Sequence, residues 1–109
     1  MSICVFIQEP ENEYEEKFNI PVATDSFFEE CWKPAIEELN LEWVNVFSVG
    51  LDMVKEDLPF VMKELTQIKE WAKTNLPNEK QEKIIERIEL LEAELPNAFR
   101  REGAVVFIG

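Results

Sequence analysis

The chain has 109 residues, 46% of them hydrophobic, with three glycines, no histidine and a formal net charge of −12. That length suits one domain spanning residues 1–109, because two halves would each be too small to bury a core without staples. The charge disfavours direct binding of nucleic acid, whose phosphates need a basic face, and the missing histidine removes the commonest general base and the Ser-His and Cys-His nucleophile systems.

Ile3-Cys4-Val5-Phe6-Ile7 is a continuous apolar run. It suits a strand covered on both faces. The acidic segment Gln8–Phe18 follows, with Glu9, Glu11, Glu13, Glu15 and Glu16 set around Tyr14. Pro10 and the asparagines make it a turn or loop. Ser26, with Glu29 three residues on, reads as a capping box that opens a helix. The apolar stripe of that helix runs through Phe28, Trp32, Ile36 and Leu39, and Pro34 on its outer side should bend it rather than end it.

Leu41–Val49 is rich in Trp, Val and Phe, stops at Gly50 and reads as a strand. Leu58, Val61, Met62, Leu65, Ile68 and Ala72 then recur at helical spacing behind Asp57 and Pro59. Pro77-Asn78 interrupts this pattern, and Asn78 with Gln81 suggests a second capping box. The helix it opens carries Ile84, Ile85, Ile88, Leu91 and Leu95 on its core side and ends near Pro96. Ala104–Ile108 repeats the composition of the first strand and should lie beside it at the centre of the sheet. The expected class is α+β: a three- or four-stranded sheet packed against three helices, in the order β-α-β-α-α-β.

Chemistry is sparse. The glycines stand alone at 50, 103 and 109, so no phosphate-cradling loop can be built from them. Cys4 and Cys31 lack zinc-ligand spacing and read as two thiols acting as small hydrophobes, with a disulfide or redox pair as the alternative. Glutamates at alternating positions could share one face of an extended segment and hold a hard cation. The spacing does not match a calcium loop, and no metal or cofactor is expected. A glycosidase-like pair of carboxylates would need a sugar-sized cleft. No basic leader segment or long apolar span is present, which gives an expectation of a cytoplasmic protein outside the membrane.

Charge is unevenly distributed. Residues 1–57 carry 14 acidic and 3 basic side chains, a balance of −11, whereas residues 58–109 carry 9 and 8, a balance of −1. Two readings of the acidic segment stand side by side. It is either a solvated loop, with Tyr14 and Phe18 pinning it to the core, or a surface for a basic partner made by Glu9, Glu11, Glu13, Tyr14, Glu15 and Glu16.

Ser26-Phe27-Phe28, Ile36-Glu37-Glu38-Leu39 and Leu58-Pro59-Phe60-Val61-Met62-Lys63-Glu64-Leu65 are similar to segments of the small immunity proteins that accompany bacterial polymorphic toxins. The resemblance covers roughly a third of the chain. It implies a non-enzymatic, acidic inhibitor that covers a basic toxin domain, such as a nuclease. The competing expectation is a structural domain that self-associates through an apolar helix face or a sheet edge.

Overall fold

The computed structural model describes residues 2–109. Its strands are β1 (Ser2–Ile7), β2 (Asn19–Thr24), β3 (Leu51–Met53) and β4 (Val106–Ile108), and they form one antiparallel sheet in the order β2-β1-β4-β3. The first and last strands are therefore central neighbours, as their composition suggests. The helices are the short α1 (Glu13–Lys17), α2 (Asp25–Phe27), α3 (Lys33–Leu39), α4 (Leu58–Asn75) and α5 (Asn78–Glu94). The architecture is α+β, with a four-stranded sheet and three main helical segments.

The sheet is covered on one face only, which corrects the expectation for the first strand. Ile3, Val5 and Ile7 are buried with Ile20, Val22, Met53, Val106 and Ile108, against Val61, Leu65 and Ile68 of α4 and Ile84, Ile88 and Leu91 of α5 in a single apolar core. Each such side chain contributes about 1.5–3 kcal/mol when fully buried. On the other face Phe6 remains 40% exposed and packs on Phe107 at 5.2 Å between ring centroids.

β2 was not legible as a strand. Its Pro21 argues against a strand, yet it takes the exposed position between the buried Ile20 and Val22, and β2 is an edge strand, where a missing amide is tolerated. The strand expected at Leu41–Val49 is absent. That segment is turns around a 3₁₀ helix at Val44–Val46, and the third strand comes later, at Leu51–Met53. Leu41, Val44 and Phe47 are its buried positions. Their spacing of three belongs to a 3₁₀-like turn, whereas the Trp, Val and Phe content of the segment is that of a strand.

The helix caps also differ from expectation. Thr24, not Ser26, accepts the amide of Phe27, at 3.1 Å. Pro77 occupies the cap of α5, and the Gln81 side chain instead donates to the carbonyl of Ala72 at the end of α4. Around Pro34 the helix continues through a π-helical turn at Phe28–Trp32 that joins α2 to α3. A wider turn eases the clash between a proline ring and the carbonyl four residues earlier. Among the described residues no helix is long and apolar enough to cross a membrane.

Candidate functional site

The acidic segment is more structured than a loop. Asn12 caps α1 by accepting the amide of Glu15 at 2.8 Å, and this turns the Glu15 side chain inward, where it is 4% exposed. Arg101, beyond the end of α5, meets it there. Its Nε donates to both Glu15 carboxylate oxygens at 3.0 and 3.2 Å, its Nη1 lies 2.8 Å from Glu11 Oε2, and the Glu11 amide donates to Glu15 Oε1 at 3.0 Å. The Arg101 hydrogen bond, followed by the Glu11 amide, holds the Glu15 carboxyl below its ordinary value despite the opposing effect of burial.

The other residues of the segment divide. Tyr14 lies under the Arg100 guanidinium, 4.2 Å from its ring centroid, and meets the buried Phe18 edge-on. Glu13 pairs with Lys17 at 2.6 Å on the same helix. Glu9, in a left-handed backbone conformation at φ 47°, and Glu16 enter no ion pair among the described residues. The six candidate residues are thus brought together. Four of them are already engaged by the chain's own cations.

A second locus was not singled out from the sequence. Glu64 of α4 is buried, and its carboxylate collects the first amides of the Leu41–Gly50 segment. Oε1 accepts from Trp43 at 3.0 Å and Val44 at 2.8 Å, and Oε2 accepts from Glu42 at 3.1 Å. Those amides are consequently withdrawn from any sheet ladder, which is the physical reason the expected strand does not form.

The same anchor fixes Trp43 in place. Its indole stacks on Phe60 with centroids 5.9 Å apart and planes within 10°. Phe60 is 57% exposed, because it stands outside the apolar stripe of α4. That displacement from the stripe was the available sequence signal. The stack forms one wall of a surface depression that also includes Leu39, Glu42, Lys63 and Gln67.

A surface depression of about 530 Å³ is lined by Lys55, Glu56, Arg100, Arg101 and Glu102 with Val54 and the Phe99–Ala104 turn. Among the described residues no group of three or more cysteine or acidic side chains converges to hold a metal ion. Both thiols are free. Cys31 is buried, which pushes its thiol pKa up, with Glu30 adding to the effect, and Cys4 is half-buried on the open face of the sheet.

Comparison with family models, curated proteins and solved structures finds no significant match.

Proposed function

We propose that this chain is a non-enzymatic, acidic protein-binding module, an inhibitor of the immunity type that covers a basic toxin domain. The observation that carries the reading is the charge left over after the chain has paired its own ions. Within residues 1–57, Glu9, Glu16, Glu37, Glu38, Glu42, Asp52, Glu56 and Asp57 enter no ion pair among the described residues, against one such cation, Lys55, whereas residues 58–109 leave Glu64, Glu82, Glu86, Glu94 and Glu102 against Lys63, Arg87 and Arg100. Uncompensated carboxylates on a fold of this size cost stability through self-repulsion, and they raise encounter rates with a cationic surface by roughly 10–1,000-fold. Carboxylates would occupy the positions a nucleic-acid phosphate takes on a basic enzyme, and aromatic anchors would slow release.

The test is to capture the partner on the immobilised chain, identify it by mass spectrometry, and follow association as salt is raised. A basic partner with a steeply salt-dependent on-rate is expected. An acidic partner, or a rate indifferent to salt, overturns the reading.

A second reading rests on the open sheet face, where Phe6 and Phe107 have no covering layer among the described residues. Under it the protein is a structural domain that self-associates. Sedimentation at low and high salt separates the two: a dimer at both favours self-association, a monomer at both favours the inhibitor.

A further inference from the structure

The chain builds one arginine-receiving site and fills it itself. Tyr14 presents its ring, Glu11 and Glu15 present carboxylates, and Arg100 and Arg101 occupy them. The same ingredients recur at the Trp43–Phe60 stack without an internal arginine. Phe60 offers an open aromatic surface, and Glu42 is exposed beside Trp43.

We infer that this aromatic platform, with Glu42 at its rim, is the docking site for the partner, and that it receives an arginine side chain projecting from a basic protein surface. The inference rests on the proposed inhibitor function and says where its partner is held.

Three physical points support the choice. The platform is rigid: Glu64 ties down the amides of Glu42, Trp43 and Val44, so little ordering remains to be done on binding. A guanidinium suits it because the cation is attracted by a ring face and its planar fork matches a carboxylate, the two contacts Arg100 and Arg101 make with Tyr14 and Glu15. A charge balance of −11 in residues 1–57, which include Trp43 and Glu42, opposes a second copy of the chain and favours a cation. Lys63 lines the same depression and is a local charge against the proposal.

The probe is a short peptide, acetyl-Gly-Arg-Gly-Arg-Gly-amide, titrated into the isotope-labelled full chain and followed by amide shifts. Saturable shifts centred on residues 42–44 and 56–60 are expected. Phe60→Ala, an exposed position, should weaken binding by about tenfold, Glu42→Gln by about threefold, and Lys63→Ala should strengthen it. Glu42→Gln keeps the test decisive should Phe60→Ala disturb the fold. Saturable shifts confined to residues 9–16, or spread over every acidic surface, would overturn the platform and leave the acidic-binder reading standing. No saturable shift anywhere would overturn both.

Discussion

Glu64→Gln is the substitution that probes the structure most deeply. It keeps the shape of the side chain while replacing one carboxylate oxygen by a donor. With the remaining oxygen at the Oε1 position, Trp43 and Val44 keep an acceptor but lose its charge, and the amide of Glu42, now 3.1 Å from an NH₂ group, has no acceptor. Charged acceptors contribute about 1.5–3 kcal/mol against about 0.5–1.5 for neutral ones, and a stranded donor costs about 1–3 kcal/mol.

Allowing for some water at the part-buried Glu42 amide, the net loss is about 3 kcal/mol, a large part of a stability of order 5–15 kcal/mol. For a domain of this size it corresponds to a fall of roughly 10–20 °C in Tm. Equilibrium urea unfolding, read by circular dichroism and tryptophan fluorescence, measures it. The opposing possibility is that the desolvation of a buried carboxylate already cancels its hydrogen bonds. A change below about 0.5 kcal/mol would show that this is so, and that the amides of residues 42–44 do not need Glu64.

Other outcomes follow from the same contacts. Because the folded-state pKa of Glu15 is lowered, its pairing with Arg101 stabilises the fold above the ordinary carboxylate value of 4.5 and is lost as pH falls through the lowered one. The gap between the urea midpoints of the wild type and Glu15→Gln should therefore narrow as pH is taken from neutral to below 4.5, and a constant gap would refute the pairing. Native protein should react with a thiol reagent at Cys4 alone, Cys31 becoming available only on unfolding; rapid reaction at both would contradict the burial of Cys31. Gly50→Ala should lower stability by more than about 1 kcal/mol, because a left-handed residue would be strained. A Cβ there would also stand 2.9 Å from the Phe107 ring in a backbone held at φ 115°. A neutral effect in thermal unfolding would refute that crowding.

What could be read from the sequence was whatever depends on one period at a time. The stripes of α4 and α5 and the two apolar runs that became β1 and β4 each follow a single pattern, so class and sheet centre were visible. The failures lie where a distant side chain decides a local structure. Leu41–Val49 has the composition of a strand but buries every third residue, and the choice is made by Glu64, which no reading of the segment alone could supply. Likewise Glu15 is one of five glutamates in a short run, and only Arg101, 86 positions away, distinguishes it as the buried one.

That last distinction changes how the acidic segment is understood. A dense run of glutamates around a tyrosine has the composition of a docking surface, but composition does not say whether the basic partner is another molecule. Here Arg100 and Arg101 take up Tyr14, Glu11 and Glu15, so a basic protein would have to displace an arginine already held by a buried carboxylate in order to use the centre of the segment. Displacing Arg101 would take from the buried Glu15 carboxylate the cation that compensates its loss of water. A partner gains more by landing where aromatic surface and carboxylate are both unoccupied. On this chain the Trp43–Phe60 stack with Glu42 offers that combination, and Glu9 and Glu16 are left to act at a distance, through their charge.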